Sequence, residues 1–216
     1  METDSAVGVQ SAPRRLLPRA ERRAQILGAA ASAFAERGYS DTSMDDVAAR
    51  AGITKLIVYR HFGSKSELYQ AVLDSVFNRL ATEVTDRIPH MLGKGAVPSA
   101  LMVVAREQPD ALRLLVVHSA REPEFAELIN RFNVVAQSAA ASVLEPTGDP
   151  EVDRWQARTL ADFVIGGVLR WVEEGDPARD DEVIGRLAAG AARLAAAWRE
   201  RSIDPATTDL DQGAHP

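Results

Sequence analysis

Cysteine is absent from the 216-residue sequence, which excludes disulfide bonds and thiolate metal sites. Long apolar runs are missing too: the N-terminus carries none of signal-peptide length, and no uncharged apolar segment approaches the roughly 20 residues that span a membrane. The few histidines lack the spacing of metal ligands; they are His61, His90, His118 and His215. We therefore expect a cytoplasmic protein with no metal, no cofactor and no membrane partner.

Motifs of the common enzyme classes are also missing. There is no G-x-S-x-G, no Walker lysine and no G-x-G-x-x-G that follows a strand. The glycine pair at 166 and 167 lies in an apolar helical pattern and is typical of close packing, whereas Glu173 and Glu174 end that pattern as solvated residues. We predict no catalytic residues, and an all-helical enzyme is the least supported alternative.

Positive charge is concentrated in one part of an acidic chain. The net charge is −6, but residues 14–65 hold ten Lys/Arg and five Asp/Glu, a balance of +5 that leaves −11 for the rest. A cationic segment on an acidic body indicates contact with a polyanion, or else only a solvated basic face. Charge alone does not separate these two alternatives.

Helical periodicity dominates the chain, and no sustained period-two alternation predicts a sheet. The fold is predicted to be all-α with about nine helices, near residues 20–37, 43–51, 55–61, 64–87, 99–107, 109–120, 123–145, 151–174 and 179–201. Polar, proline-containing ends predict a disordered arm at 1–18 and a disordered tail at 203–216. Between them we place a three-helix unit at 19–66 and a larger helical bundle at 67–202.

The stretch SMDDVAARAGITKLIVYRHF, residues 43–62, has the helix, glycine turn and short helix of a helix-turn-helix. Gly52 supplies the backbone of the turn because it has no Cβ to clash. Helical spacing places three apolar residues on the inner face: Ile53, Val58 and Phe62. The outer face, at the end from which a recognition helix contacts base edges, then carries Lys55, Leu56, Ile57 and Tyr59.

The exposed side chains of this stretch suit double-stranded DNA. Lys55 can reach a guanine edge or a phosphate, while Leu56 and Ile57 can press on thymine methyl groups. Three further residues can flank the groove and hold the phosphate backbone: Tyr59, His61 and Lys65. The sequence therefore predicts a DNA-binding domain at 19–66.

Residues 26–73, ILGAAASAFAERGYSDTSMDDVAARAGITKLIVYRHFGSKSELYQAVL, resemble the N-terminal region of the TetR family of transcriptional regulators. From Phe34 to Leu68 they follow the family pattern of F-x-x-x-G-[YF] and, further on, A-G-[VI]-[ST]-x-x-x-[LIV]-Y-x-[HY]-F almost position for position. The resemblance implies a dimeric regulator, most often a repressor, that binds a palindromic operator and is released by a ligand. It implies DNA contacts for six residues: Ser43, Thr54, Lys55, Tyr59, His61 and Lys65.

One departure from the family concerns the two apolar residues on the outer face. Family members often carry a small or polar residue where Leu56 and Ile57 stand. These two side chains cannot hydrogen-bond to bases, so we expect DNA shape to contribute more of the specificity.

The apolar helices of the C-terminal bundle predict a homodimer. Residues 155–172 are apolar nearly all round, and residues 179–201 carry a broad apolar stripe that includes Leu187, with many small residues beside it. A core on one side and a partner subunit on the other would explain this composition, and a monomeric core helix is the alternative. We predict that the last two helices form the subunit interface.

The same bundle is expected to enclose a mostly apolar cavity for a small lipophilic effector, because its internal polar groups are few and scattered. The predicted polar anchors are His118, Asn133 and Asp162. The full predicted ligand-binding set is Leu115, His118, Phe125, Phe132, Asn133, Asp162, Phe163 and Val164. An architectural DNA-binding protein with a sealed body and no ligand is the alternative.

Overall fold

The fold is all-α, as predicted. The computed structural model describes residues 17–91, 95–118 and 123–202, and these ranges contain nine α-helices and no strand. The helices are α1 Arg19–Asp41, α2 Met44–Arg50, α3 Lys55–His61, α4 Lys65–Met91, α5 Ala96–Glu107, α6 Pro109–Arg113, α7 Ala126–Ala141, α8 Pro150–Glu174 and α9 Asp180–Ser202. Within the described ranges, no helix is both long and apolar enough to cross a membrane. The predicted tail, and the predicted arm up to residue 16, lie outside them.

The observed helices differ from the predicted ones mainly at their ends. α1 continues past Gly38, whose left-handed φ of +81° kinks the helix. The predicted loop between α4 and α5 is shorter, because Pro98 lies in the first turn of α5, where a proline is tolerated. The predicted helix at 109–120 is divided: α6 ends at Arg113, and a π-helical turn follows over Leu114–His118.

The first three helices enclose a small apolar core that holds the helix-turn-helix together. Ile26 and Phe34 of α1, Val47 of α2 and Val58 of α3 have no exposed surface. Each such burial stabilises the fold by about 1.5–3 kcal/mol relative to an exposed side chain.

A capping box forms at the start of α2. The Asp46 backbone N–H donates to Ser43 Oγ over 3.2 Å, and the Ser43 backbone N–H donates to the Asp46 carboxylate over 2.9 Å. These hydrogen bonds from Ser43 lower the pKa of Asp46 below its ordinary value. The pair satisfies backbone donors that the helix itself leaves free.

α4 connects the three-helix unit to the body. Its buried face includes Leu68 and Leu73, which are fully buried. At its start, the Glu67 backbone N–H donates to Ser64 Oγ over 3.0 Å. The Glu67 carboxylate accepts from the Gly63 N–H rather than from Ser64, over 2.8 Å, so the reciprocal bond closes one residue earlier than in a capping box.

In the body, α8 packs on α5, α7 and α9. Glycines allow α8 and α9 to approach closely: a Cβ added at Gly167 would lie 2.5 Å from Leu187, and one added at Gly190 would lie 2.9 Å from Phe163. Leu187 is only 8% exposed, so this part of the predicted interface stripe faces the chain's own core. Part of the small-residue pattern of α9 is therefore explained inside one subunit.

One arginine joins α5 to the corner between α8 and α9. Arg106 donates from Nε to Asp180 Oδ2 over 3.0 Å and from Nη2 to Asp180 Oδ1 over 2.8 Å. The same guanidinium donates to the carbonyl oxygens of Val172 and Gly175, each over 3.2 Å. Trp171 Nε1 adds a hydrogen bond of 2.7 Å to Asp180 Oδ1. The hydrogen bond from Arg106 lowers the pKa of Asp180 below its ordinary value.

Candidate nucleic-acid interface

The turn between α2 and α3 sets the position of the recognition helix. Gly52 has a left-handed φ of +64°, which glycine adopts without strain. The Ile53 N–H then donates back to the Ala48 carbonyl oxygen over 3.0 Å. Thr54 follows as the N-cap of α3 in extended conformation, with no side-chain capping bond. Its exposed hydroxyl is therefore not engaged in capping the helix.

Three predicted DNA-contacting residues form the exposed face of α3. Leu56 is 68% exposed and Tyr59 is 44% exposed, which is unusual for large side chains with much apolar surface. Lys55 is also exposed and donates from Nζ to Asp45 Oδ2 over 2.6 Å, and this bond raises the pKa of Lys55 above its ordinary value. Ile57 differs from the prediction, because it is half-buried and packs against the apolar core.

Two other predicted contacts already have structural roles. Ser43 Oγ donates to the Asp46 carboxylate over 2.6 Å as part of the α2 cap. Lys65 Nζ donates to the carbonyl oxygens of Tyr39 and Ser40 over 2.9 and 3.1 Å, and it lies 4.6 Å from the centre of the Tyr39 ring. The contacts of both side chains with DNA stay predictions.

His61 lies beside a group of arginines from α1 and α3. Partial burial lowers the pKa of His61 below its ordinary 6.5, and four neighbouring charges lower it further: Arg19, Arg22, Arg23 and Arg60. The imidazole is therefore neutral at pH 7. Arg22 and Arg23 follow Arg19 by three and four residues at the start of α1, a spacing that places both one turn from Arg19 on the same side of the helix. That spacing was the available signal for a cationic surface beyond α3.

Those predicted effector residues whose side chains the structure describes do not converge on one cavity. Leu115, Phe132 and Val164 are buried, but the Asp162 carboxylate is 72% exposed and lies 3.9 Å from Arg158 Nε. Asn133 is also exposed, because it projects from the outer side of α7.

The remaining predicted effector residues lie apart. Phe163 is 38% exposed and packs beside Gly190 of α9. Phe125 is buried against Tyr39 at the end of α1 and Tyr69 of α4, and the His118 side chain lies outside the described part of the structure.

A cavity of about 640 Å³ lies instead between α1, α4 and α6. Its walls include Leu27 and Val72, with Glu107 and Asp110 at the α5–α6 corner. None of the predicted effector residues lines it. The cavity lies where the N-terminal unit meets the body.

Comparison with known proteins places the N-terminal unit in a family. Residues 26–72 match the model of a family described as "Bacterial regulatory proteins, tetR family". The chain is 50% identical over 68 residues to the HTH-type transcriptional activator FasR of Mycolicibacterium smegmatis, which is 32% of this chain and 31% of that protein. It is 37% identical over 119 residues to the HTH-type transcriptional repressor Rv3405c of Mycobacterium tuberculosis, 54% of this chain and 63% of that protein.

The structural similarity to known proteins also covers the body. A TetR-like transcriptional regulator from Rhodococcus sp. RHA1 superposes with a TM-score of 0.63 over 88% of this chain and all of that chain, at 21% identity. This likeness shows the fold, whereas the two sequence matches span less than two thirds of those relatives' own lengths. The sequence match and the helix-turn-helix geometry agree on the same residues, so the N-terminal unit is similar to the tetR family of bacterial regulatory proteins over residues 26–72.

Proposed function

We propose that this protein is a ligand-responsive transcriptional repressor that binds a palindromic operator as a homodimer. Residues 19–66 act as the DNA-binding domain and residues 67–202 as the effector-binding and dimerisation domain. The single observation that carries the proposal is the exposed face of α3, with Leu56 outward and Lys55 beside it, on a tightly packed three-helix unit. A protein of this kind works in the bacterial cytoplasm, where the operator is.

Each side chain of the α3 face has a separate proposed task. Lys55 neutralises a phosphate or contacts a guanine edge, Tyr59 holds the backbone, and Leu56 packs on a thymine methyl group. The arginines beside His61 add positive potential along the flanking phosphates, and the neutral His61 imidazole can donate a hydrogen bond to one of them. These arginines, Arg19, Arg22, Arg23 and Arg60, supply affinity for any DNA. The α3 face supplies the sequence preference.

The subunit interface is proposed to form on the outward faces of α8 and α9. Trp155 is 57% exposed, and its ring centre lies 5.5 Å from that of Trp198. The outward positions of α9 include Gly185, Ala189 and Ala192, small residues over which a partner helix can pack closely. An isologous pairing would cover this apolar surface in both subunits at once.

The effector is proposed to be small and mainly apolar and to bind within the body. Leu115 and Phe132 supply buried apolar surface within the body, and the π-helical turn at Leu114–His118 is a geometry found frequently at functional sites. Asn133 and Asp162 face outward, so His118 is the polar anchor that we retain. Such an effector releases DNA only if it binds more tightly to a dimer conformation in which the two DNA-binding domains do not fit the operator than to the operator-binding conformation.

The DNA assignment is tested with variants of the α3 face on an operator that the wild-type protein binds. Lys55→Ala is expected to lower affinity and to reduce the slope of log affinity against log salt by about 1, because one phosphate contact is lost. Leu56→Ala is expected to weaken operator binding by about 1–2 kcal/mol with an unchanged salt slope, because only apolar burial is lost.

The matched control for these variants is Val143→Ala, which truncates a 55% exposed side chain just beyond the end of α7. It is expected to leave operator affinity and salt slope unchanged. Wild-type affinity in both Lys55→Ala and Leu56→Ala would contradict the proposed role of α3.

A further inference from the structure

A short segment of the body docks onto the DNA-binding unit. Pro123–Phe125, a single 3-10 turn just before α7, is called the latch. Phe125 is 4% exposed, and its ring centre lies 4.6 Å from that of Tyr69 and 5.2 Å from that of Tyr39. Phe34 of the helix-turn-helix core completes the cluster at 4.9 Å from Tyr69. Phe125 was predicted to line an effector cavity, but it belongs to this aromatic junction.

Polar contacts hold the latch on the same surface. Glu124 Oε1 accepts a hydrogen bond from Ser66 Oγ in the first turn of α4. Glu124 Oε2 accepts a longer one, of 3.4 Å, from the Tyr39 hydroxyl. Residues 39 and 124 are separated by 85 positions in sequence, so the contact joins the N-terminal unit to the body.

The latch reaches the DNA-binding surface through Tyr39 and Lys65. Tyr39 lies just after the Gly38 kink, in the last turn of α1. Its ring lies under the Lys65 ammonium, and Lys65 donates to the backbone carbonyl oxygens of Tyr39 and Ser40. The latch therefore braces the end of α1 and the start of α4, which are the two segments that flank α2 and α3 in the chain.

We propose that the latch is a positioning device for the DNA-binding domain, and this inference rests on the proposed function. The docked latch holds the domain in one orientation against the body, so less freedom is lost when both domains of a dimer bind one operator. Undocking the latch lowers operator affinity without removing any contact with DNA. Because the latch lies in the connection from α6 to α7, movement in the body can reach the DNA-binding domain through it.

The first test removes the polar contacts of the latch in the full-length protein. The double variant Ser66→Ala/Glu124→Ala is expected to bind the operator about tenfold more weakly, within the usual range for coupling between sites. The salt slope of binding is expected to stay at the wild-type value, because no phosphate contact is lost. A reduced salt slope, or wild-type affinity in a folded variant, would overturn the positioning role.

The second test restores the latch covalently and uses the absence of cysteine in the chain. Ser66→Cys/Glu124→Cys is expected to bind weakly when reduced, and to regain wild-type affinity when the two thiols are joined by a short bifunctional thiol reagent. The two single-cysteine variants treated with the same reagent are the controls and should stay weak. Failure of the linked protein to recover, although wild type binds its operator, would overturn the latch alone. If wild type shows no sequence-specific binding, the proposed function and the latch fail together.

Discussion

Ala189→Glu is expected to convert the protein into a monomer and to weaken operator binding by at least about 100-fold. Ala189 is exposed on α9 in the proposed interface, so the subunit itself can accept the longer side chain. Two-fold symmetry would place two unpaired carboxylates in one apolar contact, and each costs several kcal/mol to bury. About 3 kcal/mol of lost coupling between half-sites corresponds to roughly 100-fold in affinity.

The measurement is sedimentation equilibrium combined with operator titration, with Ala81→Glu as the control. Ala81 is an exposed residue of α4, and a charge there is expected to leave both dimerisation and DNA binding unchanged. Dimers of Ala189→Glu with wild-type operator affinity would rule out the α8–α9 interface. Leu187 is unsuitable for this purpose, because it is buried against Gly167 and a charge there would disrupt the subunit core.

Arg106→Ala is expected to cost about 2–4 kcal/mol of unfolding free energy. The guanidinium makes four hydrogen bonds at the α8–α9 corner, and its loss leaves the mostly buried Asp180 carboxylate without its charged partner. Urea unfolding at pH 7 measures the loss. The control is Arg170→Ala, an exposed ion pair with Glu174 that contributes at most about 0.5 kcal/mol. Equal stabilities for the two variants would contradict the structural role of Arg106.

The same contact predicts a pH dependence of stability. The pKa of Asp180 is lowered from its ordinary 3.8 in the folded protein, mainly by the hydrogen bond from Arg106. The ionised Asp180 carboxylate stabilises the folded protein fully at pH values above this ordinary pKa. That stabilisation is lost as the pH falls through the lowered pKa of the folded protein. Arg106→Ala is therefore expected to lower the free energy of unfolding more at neutral pH than in acid. An equal loss of unfolding free energy at pH 7 and at pH 2.5 would contradict this explanation.

Local features of the fold were predictable from sequence because their partners are near in the chain. The capping box of Ser43 and Asp46 depends on residues three apart, and the turn at Gly52 depends on one backbone conformation. The division between buried Val58 and exposed Leu56 follows from helical spacing alone. These elements define the proposed DNA-binding face, so most of that candidate site could be located from the sequence.

Long-range packing was not predictable in the same way. Phe125 looked like a cavity lining because it is apolar, but its partners are tyrosines more than 50 residues away in sequence. Leu187 was placed in a subunit interface because the stripe on α9 does not show which side the core occupies. Periodicity tells which residues share a face, but it does not tell what that face meets.

The most direct test of the central claim is selection of binding sites from a pool of random double-stranded DNA by the full-length protein. Two recognition helices related by a two-fold axis predict enriched sequences that are palindromic, with half-sites separated by about one helical turn or a small multiple of it. The selected DNA should bind two subunits in a concerted manner, and Leu56→Ala should shift the base preference within each half-site. Enrichment of no consensus, or of a single unrepeated half-site bound by one chain, would contradict the account.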